Sequence, residues 1–277
     1  MRHRGVDAVD TILFDDRDRS FREVQRVGME FLPGRGEYGY DERDRGETAM
    51  PIHDWTRVDA GIFHDFHNAW ITHLQETLNG GLLPSDVYAF EEPITNSGSE
   101  FRSEGDIGLL TEPPKVRFVA KAQSEYYVRR QRTMTIRHIS DHRIIAMIEI
   151  VSAGNKSTSA SLQTFVDKAL AALYQGIHLL LIDLHPPGRR DPHGLHGAIW
   201  DELNGEGYVA PTDRPLTLAA YNAGEVKTAY VEPTAVGLPL LEMPLFITPE
   251  GYINVPLEAT YQAAFAGVPR FYRNLLG

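Results

Sequence analysis

Cysteine is absent from the 277-residue chain. That excludes a disulfide scaffold, a zinc ribbon, an iron–sulfur protein and a cysteine nucleophile. Long apolar runs are absent too: none reaches the roughly 18 residues of a membrane span. The longest dense one, residues 177–184, is strand-sized and carries His178 and Asp183. Positive charge is scarce. Lys and Arg number 27 against 38 acids, for a formal net charge of −11 and a pI of about 5.4. Domains that coat duplexes are usually basic, so bulk electrostatics here oppose nonspecific nucleic-acid binding. No apolar core of a signal peptide interrupts the charged N-terminal stretch, and a reducing cytoplasm is the expected compartment. Gly154-Asn-Lys156 is not a phosphate-binding P-loop, and no dinucleotide-binding glycine fingerprint occurs.

Lysine is also missing from residues 1–49, which hold nine Arg and twelve acids. Mixed-charge clusters and a Gly-rich stretch (33–39) predict a poorly structured tail. A second reading makes Met50 the biological start. From residue 50 the texture turns globular and predicts one α/β domain over 50–277. Apolar residues at helical spacing predict a helix over 64–79, stopped by Asn79-Gly-Gly81. Alternation predicts strands at 87–92 and over 125–139, with a short strand at 106–110. Residues 143–151 are apolar on both parities, as in a strand buried on two faces. An amphipathic helix over 159–175, stopped by Gly176, then leads to a buried strand at 177–184. Such a strand–helix–strand unit favours a parallel pair. A short helix at 195–204, strands near 216–221 and 226–231, a Pro-rich extended stretch (233–249) and a helix at 256–266 complete the expectation.

Three charged residues stand out by position. Asp106 opens one strand, Glu149 lies near the end of an apolar one, and Lys168 lies in the helix that follows. An ionised carboxylate inside an apolar strand needs a compensating partner. Two carboxylates converging from neighbouring strands seat Mg²⁺, and a nearby Lys orients water or stabilises phosphoryl charge. The competing reading puts Glu149 at a rim, Asp106 at a turn and Lys168 on an exposed helix face.

Residues 143–184, with Ile148-Glu-Ile-Val-Ser-Ala-Gly-Asn-Lys156, Lys168, Gly176 and His178-Leu-Leu-Leu-Ile-Asp183, resemble the bacterial domain of unknown function 4058 family. Phe63-His-Asp-Phe-His67, Leu83-Pro-Ser-Asp-Val-Tyr-Ala89, Leu238-Pro-Leu-Leu-Glu-Met-Pro244 and Ile253-Asn-Val-Pro-Leu257 extend the resemblance over about 50–277. The central block also resembles the Uma-type endonuclease-like family of the PD-(D/E)xK superfamily. There an Asp opens one strand, a Glu ends the next, and a Lys follows on a helix eight residues before a Gly-Val. Asp106, Glu149 and Lys168, eight residues before Gly176-Ile177, match that pattern. The resemblance implies a mixed central sheet with flanking helices and a nuclease-like site. In it Asp106 and Glu149 hold Mg²⁺, and Lys168 assists the attacking water. Three departures stand out. Roughly 30 residues are inserted between the two acidic strands. Gly105 replaces the family's Pro, and Val151 replaces the Lys of Glu-x-Lys, so Lys168 must substitute from the helix.

Asn155 and Lys156 lie between strand and helix, where backbone amides bind anions. Arg129, Arg130, Arg132 and Arg137, interleaved with Tyr126 and Tyr127, would track a phosphate backbone; a charge-protected edge strand is the alternative. His64 with His67, and His193 with His196, have a metal-ligand spacing but no third ligand placed with them. The function expected is Mg²⁺-dependent hydrolysis of nucleic acid phosphodiesters. The alternative is a catalytically degenerate binding or scaffold protein with the same fold.

Overall fold

The computed structural model describes residues 51–93, 132–204 and 208–277. The expected tail (1–49), the strand at Asp106, and Arg129 and Arg130 lie outside the described residues. Helix α1 (Ala60–Thr77) comes first, followed by strands β1 (Val87–Pro93), β2 (Arg132–His138) and β3 (Ile144–Ile150). Helix α2 (Ser159–Tyr174) then leads to β4 (His178–Asp183), α3 (Gly194–Asn204), β5 (Leu216–Asn222) and β6 (Thr228–Thr234). A hairpin of β7 (Met243–Thr248) and β8 (Gly251–Val255), then α4 (Leu257–Ala266) and α5 (Arg270–Leu276), close the chain.

Strands β1 to β6 form one six-stranded sheet in sequence order. Every pairing in it is antiparallel except β3 with β4. The fold is therefore mixed α/β, as expected, with a mostly antiparallel sheet. The parallel pair follows from α2, which supplies the long crossover that parallel neighbours need. Its ends are well marked. Thr158 Oγ1 accepts the Ser161 N–H at 2.9 Å, which satisfies an otherwise orphan donor. At the other end Gly176 has φ +78°. Ile177 N–H donates to Ala172 O, and Gly176 N–H to Leu173 O. A glycine is the residue that adopts this left-handed cap without a Cβ clash.

The two faces of the sheet bury two cores. On one side α1, α4 and the β7–β8 hairpin enclose Phe66, Trp70, Ile136, Leu180, Leu218, Leu245 and Phe265. On the other, α2 and α3 cover Met147, Phe165, Leu173, Leu181, Ile199 and Tyr221. Burial on both faces explains why β3 and β4 read as almost continuous apolar runs. Trp70 is fully buried and donates its indole N–H to Thr260 Oγ1 at 3.0 Å, tying α1 to α4. The Tyr261 hydroxyl accepts N–H groups from His53 and Trp55, at 3.2 Å each. Its own proton then goes to His53 Nδ1, at 2.9 Å.

Two elements differ from the sequence expectation. The Pro-rich stretch contains β7, where Met243 and Leu245 point into the core although Pro244 lies between them. Strand β6 runs on through Pro233, a residue without an N–H, as one of the two edge strands of the described sheet.

Candidate functional site

Glu149 and Lys168 meet. Lys168 Nζ lies 2.6 Å from Glu149 Oε1. The same ammonium donates to Thr133 Oγ1 at 2.7 Å. The three residues come from β3, α2 and β2. Burial is uneven: the Glu149 side chain is 8% exposed and that of Lys168 33%. The carboxylate is therefore held inside while the ammonium reaches the surface beside it. Glu149 uses Oε1 for this contact, which leaves Oε2 for another partner. The local cause is the strand's alternation. Ile148 and Ile150 face the α1 core, so Glu149 faces the α2 side, and Lys168 lies on the flank of α2 nearest β2.

Thr133 had no signal in the sequence, because which face it occupies depends on register. In the β1–β2 pair it stands opposite Glu92, and Pro93 pairs with Arg132 one step further on. The chain thus leaves β1 and re-enters β2 within one residue pair of the Thr133–Lys168 contact. Asp106, Arg129 and Arg130 belong to that connection and lie outside the described residues. Glu92 also occupies this face. Its Oε1 accepts from Thr135 Oγ1 and from Arg137 Nε, both at 2.9 Å, and pairs with Arg137 Nη2.

Lys156 occupies a different and more enclosed place. Its Nζ is 2.7 Å from Asp183 Oδ2, 3.0 Å from Asp191 Oδ2 and 2.7 Å from His185 O. The Asp191 contact is ionic, without the direction of a good hydrogen bond. All three charged side chains are at least nine-tenths buried. Burial outweighs the pull of Lys156 on Asp183 and raises its carboxyl above the usual range. Burial first, and the Lys156 charge second, push His185 down to about 4. Asn155 caps the turn that carries Lys156: its Oδ1 accepts from Ser152 N and Oγ at 2.8 and 2.9 Å. The two residues expected to bind an anion between strand and helix are thus engaged within the protein.

The histidine pairs are placed separately. His67 Nε2 lies 3.2 Å from Ile150 O, while His64 Nε2 lies 3.3 Å from Asn68 Nδ2. His196 Nδ1 lies 2.6 Å from the Tyr221 hydroxyl, and burial lowers it to about 4. Among the described residues no group of three His, Asp or Glu side chains is placed to hold a metal ion. At the Glu149 site the described residues offer one carboxylate, with Oε2 as the atom suited to a cation. Among the same residues, no helix is long and apolar enough to cross a membrane.

Comparison with family models, with curated proteins and with solved structures finds no match.

Proposed function

We propose that the Glu149–Lys168 site serves Mg²⁺-dependent hydrolysis of phosphodiester bonds in nucleic acid. The observation that carries this reading is the convergence of the buried Glu149 carboxylate and the partly exposed Lys168 ammonium from β3 and α2. Mg²⁺ prefers oxygen ligands and takes one or two carboxylates together with water and phosphate. Glu149 Oε2 and Asp106 would hold it, and the bound cation would supply positive charge to a phosphoryl oxygen. Lys168 orients the attacking water or steadies charge that develops on the phosphoryl group. That the connection containing Asp106 begins and ends beside Thr133 supports the assignment. The order α1, three antiparallel strands, α2, parallel β4 supports a PD-(D/E)xK-like core and, with the sequence motifs, the resemblance to the domain of unknown function 4058 family. Arg129 and Arg130 would add phosphate contacts, and a cytoplasmic setting is in keeping with the lack of cysteine.

A second reading rests on the same contact. Lys168 already neutralises Glu149, as in a purely structural ion pair, and the chain would then be a non-catalytic binding or scaffold protein. Cleavage of a mixed panel of single- and double-stranded DNA and RNA, with Mg²⁺ and with EDTA, separates the two. Mg²⁺-dependent cleavage by wild type, lost in Glu149→Ala, supports hydrolysis. No cleavage of any substrate by wild type assigns the pair to structure.

A further inference from the structure

The Lys156 cluster holds more than an ion pair requires. Two carboxylates, Asp183 and Asp191, share one ammonium, and all three side chains are at least nine-tenths buried. One cation with two anions keeps an uncompensated negative charge, which burial disfavours. The charges balance when one carboxyl takes a proton. Asp183 is placed to do so: burial, with the Asp191 charge adding to it, outweighs Lys156 and favours its neutral form. The reactants of amide formation then stand together. They are an amine, a neutral carboxylic acid 2.7 Å from it and a second carboxylate 3.0 Å from it.

Each is held from behind. Asn155 Oδ1 fixes the turn that carries Lys156. Asp183 Oδ1 accepts the His185 N–H at 3.2 Å. Asp191 Oδ1 accepts the Gly188 N–H at 2.9 Å, while its Oδ2 accepts no hydrogen bond and lies against Lys156 Nζ. Asp191 Oδ2 is therefore a buried proton acceptor aimed at the amine. The Lys168–Glu149 pair has one carboxylate and reaches water.

We propose that Lys156 and Asp183 join in an intramolecular isopeptide bond, formed by the protein itself with Asp191 carrying the proton. Asp191 takes one proton from the Lys156 ammonium. The freed Nζ attacks Cγ of protonated Asp183, and the tetrahedral adduct loses its hydroxyl with a second amine proton as water. The Nζ–Cγ bond forms, a Cγ–OH bond breaks and one water leaves. Asp191 ends protonated and returns to its charged form by exchange with solvent. No oxidant, reductant or cofactor enters. Bulk water opposes condensation of an amine with an acid. Here the two groups are fixed side by side, and well-oriented pairs reach effective concentrations of about 10⁵–10⁸ M. Enclosure also excludes the water that would reverse the step. The bond clamps the turn after β3 to the last residue of β4, at one end of the parallel pair. It is independent of the hydrolase reading.

The test is the intact mass of the full chain, measured after denaturation. Wild type should weigh less than its sequence by one water. Trypsin should then release a branched peptide, residues 144–168 joined to 169–189, because a linked Lys156 is no longer a cleavage site. Lys156→Met should have the full mass. Asp191→Asn keeps the shape of the cluster and the Lys156–Asp183 contact. It should fold and stay largely at full mass, since losing the proton carrier slows such a step by about 10²–10⁴-fold. Wild type at full mass overturns the proposal and leaves the cluster an ion pair. A water loss that persists in Lys156→Met places the dehydration elsewhere and also overturns it. A branch from residues 144–168 to the peptide that begins at Asp191 contradicts the choice of Asp183. Complete linking in Asp191→Asn contradicts the role of Asp191.

Discussion

Lys156 and Lys168 flank the start and middle of one strand–turn–helix unit and are both paired with carboxylates, yet the two pairs are built differently. Lys156 is enclosed, with two aspartates and a carbonyl oxygen around one ammonium. Lys168 holds one glutamate and one threonine and keeps a third of its side chain at the surface. Burying a charge is costly unless every partner is in place. The first cluster meets that demand by enclosing the ammonium between two carboxylates, which suits a tie between the turn, β4 and the following loop. The second leaves a donor direction and a carboxylate oxygen uncommitted, which suits chemistry. What separates the two lysines is exposure: Lys156 is enclosed, whereas Lys168 keeps its ammonium beside the surface.

The sharpest way to break this contrast is to remove each cation or its partner. Lys156→Met should strand two buried carboxylates and cost about 3–5 kcal/mol, the usual loss when one partner of a buried pair is removed. A denaturant melt that shows less than about 1 kcal/mol of loss would mean that the cluster is not the tie described.

Acid offers a second route. His185, beside Lys156, and His196 are both held near 4 by burial, below the ordinary histidine value of 6.5. Their folded values are depressed, so the unfolded chain takes up protons first as pH falls. Stability should therefore drop between about pH 6.5 and 4, by about 3 kcal/mol per buried histidine at the lower limit. Thermal melts across that window should show a fall that His196→Gln reduces. A flat profile would contradict the burial of these rings. In the unlinked chain the raised Asp183 acts in the opposite sense, because its protonation is favoured in the folded state, and it partly offsets the fall.

For the open pair the expected losses are smaller. Glu149→Gln should cost about 1–3 kcal/mol in EDTA, since Lys168 loses its counter-charge but keeps access to water. On the hydrolase reading Mg²⁺ should raise the melting temperature of wild type and not that of the variant. No Mg²⁺ effect on wild type would leave the pair purely structural. Thr133→Val, which keeps shape and removes the acceptor, should cost about 0.5–1.5 kcal/mol. It should also speed modification of Lys168 by an amine-reactive reagent, read by peptide mass. Enclosed Lys156 serves as the internal control; equal acceleration at both lysines would mean general loosening instead.

Much of this framework was legible in the chain. The apolar run at 143–151, the amphipathic α2 and its Gly176 cap, and the run at 177–184 located β3, α2 and β4, because local periodicity and one special φ decide them. The spacing of Glu149 and Lys168 foretold their meeting. Asp106, the third member of that pattern, lies outside the described residues, so the carboxylate pair remains a proposal. The partners of Lys156 were not legible: Asp183 and Asp191 come from beyond the crossover helix, and nothing local announces a tertiary ion pair. Thr133 and Glu92 were hidden for a related reason. A one-residue change of register would send both to the other face. The β7–β8 hairpin was obscured by its prolines, which usually mark extended segments outside a sheet.

The sequential order of the six strands bears on how the protein folds. Each strand pairs with the one before it; the β2–β3 and β5–β6 joins are short, whereas β1–β2, β3–β4 and β4–β5 each close over a longer connection. The closure of α4 on α1 is of another kind: Trp70 and Thr260 are 190 residues apart. Loop-closure entropy places such contacts late. Thr260→Ala should therefore speed unfolding while leaving the folding rate nearly unchanged, the mark of an interaction absent from the transition state. A chevron in which the folding arm carries the loss would instead make the helix pair part of the nucleus.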